Sequence, residues 1–119
     1  MDKFDIQKRA MKMALEVIKL TKLFPLSQES KVITYQIIKS ATSTAANYRA
    51  AGRAKSSKDF ISKLGIMEEE CDETIFWLEM IVEANLASHE LIQPIKQEAG
   101  EILAIIVASI KTAKNHLNK

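Results

Sequence analysis

Four cations stand close together in this chain: Arg49, Arg53, Lys55 and Lys58. Arg49 and Arg53 are one helical turn apart, so on a helix they share a face. Lys55 and Lys58 follow directly, and no acid occurs between Ser30 and Lys58. Cations at this spacing hold phosphate oxygens, the repeating anions of RNA and DNA. Tyr48, beside Arg49, adds a ring on which a base can stack. The same cations have a structural alternative, which is pairing with the acidic stretch further along, within a subunit or between subunits.

Other chemistries find less support. Glu68-Glu69-Glu70-Cys71-Asp72-Glu73 suggests a metal site. A di-iron bundle, however, needs Glu-x-x-His pairs facing inward from two helices. Leu86 and Ala113 occupy the positions three residues before His89 and His116, so that pattern is absent. Only Cys71 of the cluster falls on an apolar seam, and the acids read as a solvated face. Cys71 is the single cysteine. Alone it makes neither an internal disulfide nor a zinc site. With acids on both sides it lacks the positive field that activates a thiolate, so it reads as a packed core thiol. There is no Gly-rich phosphate loop and no G-x-S-x-G. The expectation is no catalytic residue, no metal and no cofactor.

Helices must position these groups. The 119 residues include only three glycines and two prolines, too few for the turns of a β-sandwich or barrel. The periodicity predicts helices near 4–23, 27–53, 57–86 and 92–117. Ala10, Met11, Ala14, Val17, Ile18 and Leu20 share one face of the first. Phe24-Pro25 ends it, and Ser27 caps the second helix with Leu26 as staple. The second carries Ile33, Ile37, Ile38, Ala41, Ala45 and Tyr48, with Gly52 near its end. Seven small residues, Ser40 to Ala46, run through its centre. They permit close approach of a neighbour, either in the same bundle or in another subunit.

Ser56 and Ser57 before Lys58-Asp59 form an approximate capping box. The third helix then shows a heptad-like stripe of Phe60, Leu64, Met67, Cys71, Thr74, Leu78 and Ile81. Ser88 caps the fourth, and Pro94 either delays its start to near Ile92 or kinks it. Ile95, Ala99, Ile102, Ile106, Ile110, Ala113 and Leu117 form its stripe. Four amphipathic helices with short links predict an all-α, antiparallel up-down-up-down four-helix bundle, a single domain over 1–119.

Charge is unevenly spread over those helices. The formal net charge is +2, but residues 27–56 carry +4 and residues 57–87 carry −6. The longest apolar run, Ile102 to Ala108, is far short of the ~20 residues a membrane span needs. The charged N-terminus has no hydrophobic signal region. A cytoplasmic protein with no membrane association is expected.

The segment Gln36 to Ile81, QIIKSATSTAANYRAAGRAKSSKDFISKLGIMEEECDETIFWLEMI, resembles the signature region of the four-helix-bundle proteins named after the 23S rRNA intervening sequence. The likeness continues through Glu98 to Lys114. Ala46-Asn47-Tyr48-Arg49, Arg53-Ala54, Asp59-Phe60, Lys63-Leu64, Asp72-Glu73-Thr74 and Trp77-Leu78-Glu79 carry it. The chain departs at Ile38-Lys39, where many members have an arginine-rich motif, and at Gly52, where Cys or Ala is familiar. The resemblance implies a left-handed antiparallel bundle, often a homopentameric ring. The family is also similar to the accessory variability proteins of diversity-generating retroelements, which are basic pentamers. The function expected is therefore a non-enzymatic homo-oligomer, a pentamer foremost, that binds RNA or DNA phosphates through Arg49, Arg53, Lys55 and Lys58. The alternative is a scaffold that docks a protein partner and never touches nucleic acid.

Overall fold

A computed structural model of the chain describes residues 3–118. Four helices, α1 (Lys3–Thr21), α2 (Gln28–Ala51), α3 (Ser57–Glu83) and α4 (His89–Leu117), form a rod of 52 × 22 × 21 Å. Each helix packs on the next and α4 returns to α1, with no diagonal contact among the described residues, which is the antiparallel up-down-up-down bundle. The described residues include no β-strand.

The expected stripes form the core. Ala10, Val17, Ile37, Leu64, Met67, Cys71, Leu78, Ile81, Ile102 and Ile106 are buried together. The ends of the stripes differ from expectation. Met11 and Leu117 are exposed, and Ile18 is half-buried, because they lie at the edge or beyond the end of the packed region.

The α2–α3 contact is the most extensive in the bundle, and the small-residue run explains it. Ser40, Ala41, Thr44 and Ala45 face inward, whereas Thr42 and Ala46 face solvent. Thr74 Oγ1 lies 2.9 Å from Ser40 Oγ and 2.9 Å from the Glu70 carbonyl, and its single proton serves both. Ser40 Oγ donates to the Ile37 carbonyl at 3.2 Å, so both buried hydroxyls are satisfied. Much of the run therefore serves close packing in its own bundle.

The helix ends follow local chemistry. Ser27, Ser56 and Ser88 cap α2, α3 and α4, their hydroxyls accepting from the N–H groups of Ser30, Asp59 and Leu91. The expected Leu26 staple does not form, and Leu26 is 95% exposed. A staple needs an apolar residue four positions after the cap, and Lys31 stands there. Phe24 closes that turn instead.

α3 stops at Glu83, short of Leu86. Asn85 adopts the left-handed conformation (φ 59°). Leu86 N–H then reaches the Ile81 carbonyl and Asn85 N–H the Val82 carbonyl, both at 3.0 Å. This is a Schellman stop with asparagine in the glycine position. The turn is so tight that α4 starts at His89, not near Ile92. Pro94 lies inside α4, and its missing N–H leaves the Glu90 carbonyl unbonded in the helix. Both residues are exposed, so water can serve that carbonyl.

Candidate nucleic-acid interface

Antiparallel alternation brings four chain segments to one end of the rod: the start of α1, the end of α2, the start of α3 and the end of α4. Arg49, Arg53, Lys55 and Lys58 all lie at this end, and all four are exposed. Among the described residues, no acid comes within 4 Å of their charged groups. Among the described residues, Arg49 and Arg53 thus make no ion pair with the acids of α3.

The ion pairs run to α4 instead. Arg9 Nε donates to Glu98 Oε2 at 2.9 Å, and its Nη2 reaches Glu98 Oε1 and Glu101 Oε1. Lys96 Nζ meets Glu79 Oε2 at 2.9 Å. The hydrogen bond from Arg9 holds the Glu98 carboxyl below the usual glutamate range. Of the acids on α3, Glu70 feels Lys39 only at a distance. Burial, then the neighbouring Glu73, pushes its carboxyl above the ordinary value.

The α2–α3 turn is held firmly. Asp59 N–H donates to Ser56 Oγ at 3.0 Å, and Asp59 Oδ2 accepts from Lys55 N–H at 3.1 Å. This is the predicted capping box with an aspartate reaching one residue further back. It fixes the backbone from which Lys55 and Lys58 project. Gly52 caps α2 with an ordinary helical φ of −63°.

Two depressions flank this turn and share Gly52. One is walled by Gln7, Arg49 and Arg53. The other, a cleft of about 430 Å³, has an apolar lining of Ala51, Ala54, Phe60 and Ala113 and a polar rim of Lys55, Ser56, Ser57 and His116. Exposed Lys111 and Lys114 stand on the last turns of α4 at the same end. Phe60, Lys111, Lys114 and His116 were not anticipated as part of the patch. The linear run of cations stops at Lys58, and only the fold brings α4 back to it. Tyr48, expected as the stacking ring, is half-buried against the core. Phe60 and His116 are the rings that line the cleft.

Cys71 is fully buried and its Sγ donates to the Ala99 carbonyl at 3.4 Å. Burial, reinforced by Asp72, pushes its thiol up to about 12, the environment of an inert thiol. No group of three or more His, Cys, Asp or Glu among the described residues is arranged to hold a metal. None of the described helices is long and apolar enough to cross a membrane.

Comparison with known proteins bears on the fold and the family. No functionally curated protein matches the chain. A solved structure from Bacteroides thetaiotaomicron, described as a protein with unknown function from the S23 ribosomal protein family, is similar over 89% of this chain and 98% of its own. It has 32% identity and a TM-score of 0.83. The family model described as the 23S rRNA-intervening sequence protein matches residues 2–108. An all-α bundle with this helix order, matched over most of its length, belongs to the 23S rRNA-intervening sequence protein family.

Proposed function

We propose that residues 1–119 form one non-enzymatic bundle domain that assembles into a homo-oligomer and holds nucleic-acid phosphates on the basic end of the rod. The observation that carries this reading is the exposure of Arg49, Arg53, Lys55 and Lys58 with no acid paired to them among the described residues. Cations engaged in holding a fold sit beside carboxylates, as Arg9 does. Cations left in water are available for phosphates, and releasing the counterions around a nucleic acid drives the contact. Lys111 and Lys114 extend the charge across the end.

Assembly is supported by exposed apolar side chains on the sides of the rod. Met11 and Leu15 lie on α1, Tyr35 on α2, and Phe76 and Met80 on α3. A pentamer is the assembly that the family resemblance implies. The same apolar residues favour a second reading, a scaffold that docks a protein partner through its sides.

Fluorescence anisotropy with labelled RNA and DNA at several salt concentrations tests the proposal. Binding should be sequence-tolerant and fall with salt. Each phosphate contact should add ~0.9 to the log–log slope on a duplex, or ~0.7 on a single strand. Arg49→Glu with Arg53→Glu should abolish binding and leave far-UV circular dichroism and oligomeric mass unchanged. If the wild type retains no nucleic acid even at low salt and the double variant loses its oligomer, the patch is an intersubunit contact and the scaffold reading replaces this one.

A further inference from the structure

We propose that the cleft between the α2–α3 turn and the C-terminal end of α4 takes one unpaired base of a single-stranded nucleic acid, whose phosphates lie on the cations beside it. The inference rests on the phosphate-binding reading and adds what kind of strand the site prefers.

The lining of the cleft differs from the rest of the basic end. It combines apolar groups, Phe60 at the start of α3 and Ala113 on α4, with the imidazole of His116 and the polar side chains of Lys55, Ser56 and Ser57. A phosphate gains nothing from the apolar half of that lining. It is also repelled by Asp59, which is tied to the backbone of Lys55 on the rim. A base has the opposite preference: its faces are apolar and stack on phenyl and imidazole rings. The cleft, about 430 Å³, is an open depression on the end of the rod, so a base can lay one face on it and keep its edges in water.

The neighbouring depression supplies the other half of a nucleotide's chemistry. It adjoins the cleft at Gly52 and is walled by Arg49 and Arg53. Cationic and aromatic subsites side by side match the alternation of phosphate and base along a single strand. A duplex presents phosphates but keeps its base faces stacked inside, so it can use only the cationic half. Stacking of one base is worth roughly tenfold in affinity. A base in the cleft should therefore raise single-strand affinity by about that factor over the same backbone without its bases, at equal salt.

Anisotropy titrations on the full chain can test this with four probes: a mixed-sequence single-stranded RNA, the same sequence as DNA, the matching duplex, and the single strand with its bases removed. The wild type should bind both single strands about tenfold more tightly than the abasic strand, and the duplex should show only the steeper salt dependence of its phosphate contacts. His116→Ala, at an exposed position, and Ala113→Leu, which fills the cleft, should each lower single-strand affinity and leave duplex affinity and its salt slope unchanged. Should Ala113→Leu fail to fold, His116→Ala and the abasic strand still decide. Equal binding of the single strands and the abasic strand by the wild type would overturn the cleft and leave the phosphate-binding reading standing. Retention of none of the four probes would overturn both.

Discussion

The contact between α1 and α4 is the least extensive in the bundle, and Arg9 fastens it through Glu98 and Glu101. Replacing Glu98 with Gln should therefore loosen the bundle where packing contributes least. Two charge-assisted hydrogen bonds join Arg9 to Glu98, a geometry that in a buried setting contributes about 1.5–3 kcal/mol per bond. These side chains keep 23% and 32% of their exposure, so water screens much of that. Fully exposed pairs contribute about 0.2–1 kcal/mol. Arg9 also retains Glu101 in the variant, at 3.0 Å. The expected loss is about 1 kcal/mol at pH 7, roughly 3–5 °C in Tm for a domain of this size.

The pH dependence provides the control. The Glu98 carboxyl is held low in the folded chain, by Arg9 first, against about 4.3 when unfolded. Its stabilisation is complete above the unfolded value and disappears as pH falls through the folded one. The gap between wild type and Glu98→Gln in urea denaturation, at fixed protein concentration, should be present at pH 7 and should close on acidification below pH ~4. A double-mutant cycle with Arg9→Met should assign the loss to the pair. No gap at pH 7, or a gap of the same size in acid, would refute the reasoning.

Glu70 should behave in the opposite sense. Its carboxyl is pushed up by burial and by Glu73, so its charge opposes folding above the folded-state value and that opposition is relieved in acid. Glu70→Gln should stabilise the chain at pH 7 by up to about 0.5 kcal/mol, with no gain in acid, as read by denaturant midpoints at both pH values. In the core, Leu78→Ala should cost ~2–5 kcal/mol by urea denaturation, because Leu78 is fully buried. Cys71, equally buried, should react with thiol reagents only as fast as the chain unfolds, and rapid native labelling would contradict its placement.

The bundle was legible in the sequence because a 3.6-residue apolar period does not depend on what lies opposite. Each stripe, such as Leu64-Met67-Cys71-Thr74-Leu78, needs only to be turned inward. The turn between α3 and α4 was less legible. Its end is set by Asn85 in a left-handed conformation, which asparagine adopts only where the bonds to Ile81 and Val82 reward it. The small-residue run was ambiguous for a similar reason. Sequence shows that something approaches Ser40 closely, but not that its partner is Thr74 of the same chain, 34 positions away.

The site divides along the same line. Arg49, Arg53, Lys55 and Lys58 are neighbours in the chain and could be seen as a group. Phe60 and Ala113 were read only as stripe residues, and His116 only as a metal-ligand candidate without its glutamate, because their meeting depends on topology. That topology also explains why a net charge of +2 is uninformative here. In an up-down bundle each end carries two helix N-termini and two C-termini, so the helix dipoles largely cancel and side chains set the field. At one end stand Arg49, Arg53, Lys55, Lys58, Lys111 and Lys114, against Asp5 and Asp59. At the other, Lys19, Lys22, Lys31 and Lys96 are balanced by Glu29, Glu79, Glu83 and Glu90. The rod is thus polar along its length, with its positive end at the cleft lined by Phe60 and His116.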